Sequence, residues 1–358
     1  MILPQRRSKQ MKIENLVVGG GAPVVVEGML KQDIKKFDTS VEELRNLVRE
    51  GCELVRVALP TRSTVPFFKK LIAESPVPLM ADVHFSWSLA REAIASGAPS
   101  VRVNPGNMRR GGEMRRFAKE AQDAKVVVRI GANSGSIAEN NERLSADEVV
   151  KRLSSRTLDF IKLFEDEGVT TLIVGAKSSS VSETVSANRI IARECEYPIH
   201  IGVTATGAGK MALLKSASAI STLLLEGIGD TVRVSLTDTS EEEVRIGRQI
   251  LQVLGLRRFS PEIISCPTCG RCKVDLQRVV EEAEKRLFPL PGWLKIAIMG
   301  CVVNGPGEAR EADLGIAYGV KKAVIFAKGK KVKYVSNISA LSELIKILNG
   351  SNFDGSKG

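Results

Sequence analysis

Four of the chain's six cysteines crowd its last third: Cys266, Cys269, Cys272 and Cys301. A C-x2-C turn lets two thiolates reach one metal centre, and a distant third cysteine supplies the next ligand. This spacing fits a structural zinc site of four cysteines or an iron–sulfur cluster, and by itself leaves the two near even. Two features favour iron. Zinc ribbons usually bring a second C-x2-C, whereas Cys301 has no cysteine two or three positions away. The Gly/Pro-rich loop after Cys301 also ends in a carboxylate, Glu308. A carboxylate binds soft iron more weakly than thiolate does, and a catalytic cluster needs one labile position. Cys52 and Cys195 stand alone and are expected to be buried thiols. With His84 and His200 as its only histidines, the chain has no His-rich metal site.

A second chemistry is written in a repeat. Val55-Arg56-Val57, Val101-Arg102-Val103, Val128-Arg129-Ile130 and Val232-Arg233-Val234 share one pattern. Side chains alternate across a strand, so each arginine points away from its β-branched neighbours. An unpaired guanidinium facing packed helices would be costly, which places the arginines inside. Any one alone would pair with an internal carboxylate. Four in equivalent contexts point to an anion-binding well using two or three of them, since guanidinium forks bind phosphate bidentately.

These residues need elements to hold them. Eight β-branched runs precede residue 240: Val24–Val26, Leu54–Ala58, Pro78–Asp82, Ser100–Asn104, Val126–Ile130, Thr170–Val174, Ile199–Val203 and Thr231–Leu236. Amphipathic segments such as Ser40–Glu50, Ser88–Ser96 and Ser145–Asp166 separate them. Eight strand–helix units in about 250 residues predict an α/β fold, a (β/α)8 TIM barrel. An open doubly wound sheet lacks its G-x-G-x-x-G, and Gly202-x4-Gly207 is followed by Ala208 where a P-loop needs lysine. From Glu262 onward a small α+β iron–sulfur domain is expected: a short strand, a helix over Val274–Arg286, strands at Leu294–Met299, Leu314–Ala317 and Ala323–Phe326, and a helix over Ser339–Leu348. The expected domains are residues 1–256, 257–348 and a disordered tail, 349–358.

Composition narrows the partners. Of 358 residues 26% are charged and 43% hydrophobic, ordinary for a soluble protein, and no apolar run is long enough to span a membrane. Met1–Gln10 lacks an apolar core and is not a secretory signal, so a cytoplasmic protein is expected. The net charge of +11 suits a basic surface or an anionic partner. Aromatics at 4%, with no basic block interleaved with rings, argue against single-stranded nucleic acid. The rival reading is a zinc-ribbon nucleic-acid-binding protein.

Several segments together resemble the bacterial 4-hydroxy-3-methylbut-2-enyl diphosphate synthase family. They are Cys266-Pro267-Thr268-Cys269, Met299–Ala309, Glu226–Leu236, Ala81-Asp82-Val83-His84-Phe85 and Arg102–Asn107, and the resemblance runs from about Val17 to about Val332. It implies reductive opening of a cyclic diphosphate in isoprenoid precursor biosynthesis. It further implies a [4Fe–4S] cluster on Cys266, Cys269, Cys301 and Glu308, with Cys272 no ligand. Arg56, Arg102 and Arg129 match positions that hold the diphosphate, and Lys210 matches a basic position after strand seven. Asp82, His84, Asn133 and Asn304 are expected to orient the site. Glu226 matches the family's acidic residue before strand eight, the implied proton donor, and its place at the end of an apolar run predicts burial near the barrel mouth. A homodimer and a ferredoxin or flavodoxin donor are implied, with no nucleic-acid or membrane partner. The chain departs from the family at Thr204-Ala205-Thr206-Gly207, where Thr-Glu-Ala-Gly is usual, and at Glu27-Gly28-Met29-Leu30, where Ser-Met-Thr-Asn is usual. Ala317-Tyr318-Gly319-Val320 also lies where the family is richer in glycine.

Overall fold

The computed structural model describes residues 4–108, 111–138, 142–287, 294–303 and 312–350. The chain divides after Arg257 into two compact units.

The first unit opens with an antiparallel hairpin, β1 (Met11–Ile13) and β2 (Leu16–Val18). Eight parallel strands follow: β3 (Val25–Met29), β4 (Leu54–Ala58), β5 (Leu79–Val83), β6 (Ser100–Val103), β7 (Val127–Asn133), β8 (Leu172–Lys177), β9 (His200–Ile201) and β10 (Thr231–Val232). They are ordered β8-β7-β6-β5-β4-β3-β10-β9, and a parallel bridge from Val174 to Ile199 closes the ring. This is the expected (β/α)8 barrel, covered by amphipathic helices so that its strands are buried on both faces. Sequence chemistry sets the helix starts. Ser145 and Glu148 form a capping box for Ala146–Asp166, and Thr239 caps Ser240–Val253, whose first turn carries Glu241, Glu242 and Glu243. Trp87, Phe117 and Phe164 from three helices cluster in the outer core, Phe164 edge-on to the other two rings.

All eight sequence-derived strands are present, with shifted ends. The eighth stops at Val232, so Arg233 sits just past the ladder rather than within it. The sixth runs on to Lys177, three residues beyond the expected end.

The second unit has a sheet ordered β11 (Glu262–Ser265), β12 (Lys295–Met299), β13 (Leu314–Tyr318), β14 (Lys322–Ala327) and β15 (Lys330–Ser336). The first three strands are parallel and the last two antiparallel. Helices Leu276–Leu287 and Ala340–Gly350 cover one face through Leu276, Leu287, Ile296, Ile316, Tyr318 and Leu344. Sequence analysis missed β15. It is an edge strand whose Val332 and Tyr334 are exposed, so no buried face marks it. Lys328 and Gly329, both at positive φ, form the turn that pairs it with β14.

Candidate active site: an arginine well and a cysteine loop

Charge is concentrated inside the barrel toward the C-terminal ends of its strands, the face where barrels carry their sites. Asp82, Arg102 and Arg129 stand abreast on β5, β6 and β7, each the register partner of the next. Arg102 Nη1 donates to Asp82 Oδ1 at 3.0 Å and faces His84 Nε2 at 2.6 Å. Its Nη2 donates to the Gly131 carbonyl at 2.8 Å. A Cβ on Gly131 would lie 2.8 Å from Arg102 Nε, so the absence of one lets the guanidinium cross the strand. Arg56 Nε lies 3.5 Å from Asp82 Oδ2 and 3.7 Å from Glu27 Oε1. Arg129 Nη1 donates to Glu27 Oε2. Arg233 Nη2 donates to Glu243 Oε2 at 3.0 Å.

Each repeated arginine therefore has an internal carboxylate, as expected for any one alone. The four nevertheless share Glu27, Asp82 and Glu243, which leaves guanidinium charge in excess. Lys177 adds to it: its Nζ lies 2.8 Å from His200 Nε2, and His200 Nδ1 lies 2.7 Å from Thr231 Oγ1. Arg56, Arg102, Arg129, Asn133, Lys177 and His200 line one small cavity. Burial pushes Lys177 and His200 well below their usual values, and neighbouring guanidinium charges push the same way. Burial pushes Glu27 and Asp82 up, but the arginines outweigh it and hold both carboxylates ionised. A well with surplus, partly desolvated cations is suited to an anion with several acceptor oxygens.

Of the expected barrel residues, Arg56, Asp82, His84, Arg102, Arg129 and Asn133 come together here. Lys210 does not join them among the described contacts. It is exposed in the first turn of Gly209–Leu225. Lys177 and Glu27 were missed. Lys177 was detectable as a lysine ending a β-branched run, once the strand is extended to it. Glu27 alternates with outward Gly28 on β3, whose missing Cβ would meet Cys52, Leu47 and Val244.

Glu226 requires a correction. It caps the C-terminus of Gly209–Leu225, before β10 begins, and the next residue, Gly227, accepts a hydrogen bond from Arg6 of the N-terminal segment. That is the opposite end of the barrel from the well. Its carboxylate is partly exposed and held by the Arg189 guanidinium, with Nε to Oε2 at 2.9 Å. This hydrogen bond holds its carboxyl below the usual range, where the expected burial would have raised it. The apolar run before it packs the helix on the barrel but ends at the wrong face for chemistry. A proton donor at the well is therefore not Glu226.

In the second unit, Cys266 follows β11 and Cys301 follows β12, on neighbouring parallel strands. The loops are tied together: Gly300 N donates to Cys266 Sγ at 3.4 Å and Lys273 N to the Gly300 carbonyl at 2.9 Å. Cys272 N donates to the Cys269 carbonyl at 2.9 Å, closing the C-x2-C turn. Cys272 Sγ donates to the Val274 carbonyl at 3.2 Å. Amide donation from Arg271 lowers the Cys269 thiol, as an anionic ligand requires. All six cysteines are free. No three ligating side chains converge on one point among the described residues. Asn304 and Glu308 lie outside those residues. Three free thiols on two hydrogen-bonded loops fit the ligand chemistry of an iron–sulfur cluster.

Fold and site thus define a (β/α)8 barrel with an anion-binding well, followed by a cysteine-bearing α+β unit. Comparison with known proteins names the family. The GcpE TIM-barrel domain matches residues 8–248 and the GcpE protein C-terminal domain matches 262–350. The chain belongs to the GcpE family. It is 40% identical to the 4-hydroxy-3-methylbut-2-en-1-yl diphosphate synthase (flavodoxin) of Aquifex aeolicus, over 99% of both chains. It is 41% identical to the protein of that name from Lawsonia intracellularis, over 92% of both, and 39% identical to that of Caldanaerobacter subterraneus subsp. tengcongensis, over 97% of this chain and 98% of the other. Among solved structures, dihydropteroate synthase of Xanthomonas albilineans superposes with a TM-score of 0.50 at 17% identity, covering 69% of this chain and 97% of its own. That likeness concerns the barrel fold alone. The zinc-ribbon reading finds no support in these relatives. Among the described residues no helix is long and apolar enough to cross a membrane.

Proposed function

We propose that this chain converts 2-C-methyl-D-erythritol 2,4-cyclodiphosphate to 4-hydroxy-3-methylbut-2-enyl diphosphate on a [4Fe–4S] cluster, with reduced flavodoxin or ferredoxin as donor, in the cytoplasm. The observation that carries this reading is the buried arginine well in a chain 40% identical, end to end, to a synthase of that name. Two electrons enter, a ring C–O bond to phosphate breaks, and a hydroxyl leaves with protons as water.

Arg56, Arg102 and Lys177 bind the diphosphate oxygens, while Asp82 and His84 fix the plane of the Arg102 guanidinium. Prepaid orientation of this kind lowers the cost of binding and of reaching the reactive geometry. Asn133, at the end of β7, offers a neutral donor and acceptor at the cavity wall. Cys266, Cys269 and Cys301, with Glu308, hold the cluster, and Cys272 remains a bystander thiol. The cluster, when bound, supplies one-electron delivery and a Lewis-acidic iron. The protein works as a homodimer, the cluster unit of one protomer serving its partner's barrel.

The test is anaerobic purification with metal analysis, followed by phosphorus NMR of the cyclodiphosphate incubated with reduced flavodoxin. Iron and a linear diphosphate product are expected. Zinc in place of iron, or no product from iron-loaded protein, would overturn the reading.

A further inference from the structure

Glu27, like Asp82, is a carboxylate of the well that works against anion binding. It is 1% exposed and off the cavity lining, and it puts a full negative charge against Arg129 and Arg56, which line the cavity. A carboxylate serving only to fix Arg129 would be expected in a two-bond fork, both oxygens on both terminal nitrogens. The pair here has a single bond, from Arg129 Nη1 to Glu27 Oε2. Arg129 Nη2 and Glu27 Oε1 are both buried without a hydrogen-bond partner among the described residues. Oε1 lies 3.7 Å from Arg56 Nε, and Oε2 lies 3.8 Å from His200 Nδ1. The open donor and the open acceptor thus belong to one ion pair, of which Arg129 lines the cavity and Glu27 does not. Buried groups left this way mark a place where a ligand completes the bonding. The Arg129 donor, on the cavity wall, suits a phosphate oxygen, and the Glu27 charge is bonded to the same guanidinium.

The charge has a further consequence. In a cyclic diphosphate each phosphorus is esterified within the ring, so the group carries about two negative charges and no proton that titrates near neutrality. In a linear diphosphate ester the terminal phosphate has a second ionisation near pH 6 and carries roughly one charge more. That additional charge meets Glu27 in a low-dielectric site, where like charges repel strongly.

We propose that Glu27 is a specificity-determining residue, a fixed negative charge that makes the well prefer cyclic or doubly esterified diphosphates over linear diphosphate monoesters and so favours substrate over product. This rests on the reading of the barrel as the cyclodiphosphate site.

Calorimetric titration of the full-length protein with two probes tests it. One is P1,P2-dimethyl diphosphate, esterified at both ends; the other is methyl diphosphate, esterified at one. The wild type should bind the doubly esterified probe more tightly at pH 8. Glu27→Gln should tighten methyl diphosphate about tenfold while moving the dimethyl probe by less than about threefold, since a tenfold change is the scale of one modest charge contact. Glu27→Asp keeps the charge and should keep the wild-type preference. If Glu27→Gln does not fold, Glu27→Ala serves as the neutral variant, and failure of both to fold would make Glu27 structural and overturn the proposal. A wild type that binds neither probe overturns the barrel reading itself. A wild type that binds both, with a preference unmoved by neutral substitution, overturns only the role of Glu27.

Discussion

The arginine well and the cysteine loops are built on opposite plans. In the barrel, Arg102, Asp82, His84 and the Gly131 carbonyl already bond to one another, so the well is organised by the chain's own hydrogen bonds. In the second unit, the cysteine loops are tied by backbone bonds through Gly300, but the thiols of Cys266, Cys269 and Cys301 do not meet at one point. The first site is largely organised before its ligand arrives, with one Arg129 donor still open among the described residues. The second, on the proposed reading, would be completed by the cluster, which is how metal binding couples to local folding. A site of the first kind should tolerate loss of the cluster, and one of the second kind should not tolerate loss of a single ligand.

The largest expected effect is at the cysteines. Cys266→Ser, Cys269→Ser and Cys301→Ser should each abolish the iron absorption band and turnover, while Cys272→Ser keeps both. Loss of the band in Cys272→Ser, with Glu308→Ala unaffected, would replace the proposed ligand set by four cysteines.

Next come the arginines. Arg102→Ala should weaken inorganic diphosphate binding by about 1.5–3 kcal/mol, the range for hydrogen bonds to charged groups, with iron content unchanged. Titration calorimetry and iron assay on one preparation check both halves. Arg129→Ala is a different experiment. It leaves Glu27 buried without its hydrogen-bonded partner, with Arg56 at 3.7 Å as its remaining guanidinium, and should cost about 3 kcal/mol of stability in denaturant unfolding. Stability within 1 kcal/mol of wild type would show that the pair is not buried as described.

A smaller effect separates the barrel floor from the rest. His200 is buried with its folded pKa lowered below the usual 6.5, so the unfolded chain takes up a proton that the folded barrel resists. The stability cost is therefore absent above 6.5 and grows as pH falls below it, with a slope of up to about 1.4 kcal/mol per pH unit. Glu27 and Asp82, whose folded values are lowered, contribute stability that is present above their usual 4.5 and 3.8 and is lost as pH falls further. His200→Asn should flatten urea-unfolding free energies between pH 6.5 and 5 and leave the decline below 4.5. An unchanged slope in that upper window would show that His200 is not the group responsible.

The smallest effect belongs to Glu226→Gln. Its partly exposed pair with Arg189 is worth under about 1 kcal/mol, and turnover should stay within about threefold of wild type. A fall of a hundredfold would restore Glu226 as the proton donor.

How much the sequence revealed follows the same division. Strand periodicity and the repeated Val-Arg-Val pattern placed eight strands and faced their arginines inward, because alternation across a buried strand admits few alternatives. Position along the barrel axis was less legible. Glu226 and Lys177 both end apolar runs, yet one lies before a strand and the other at a strand's end, so they fall on opposite faces. Only the strand boundary distinguishes them, and hydrophobicity blurs boundaries by a few residues. Glu27 was hidden because a carboxylate inside a β-branched strand reads as a break until its arginine partner, contributed by the distant β7, is known. In the second unit, the buried strands β12, β13 and β14 were readable, and the exposed edge β15 was not, since it carries no apolar face.

The contrast between the two sites is tested most directly by titrating inorganic diphosphate into full-length Cys301→Ser protein that contains no iron. An affinity within about threefold of the iron-loaded wild type is expected, together with at least tenfold weaker binding when Arg102→Ala is added. Loss of diphosphate binding in Cys301→Ser alone would contradict that expectation, because the anion would then be held by the cluster and not by the arginines of the barrel.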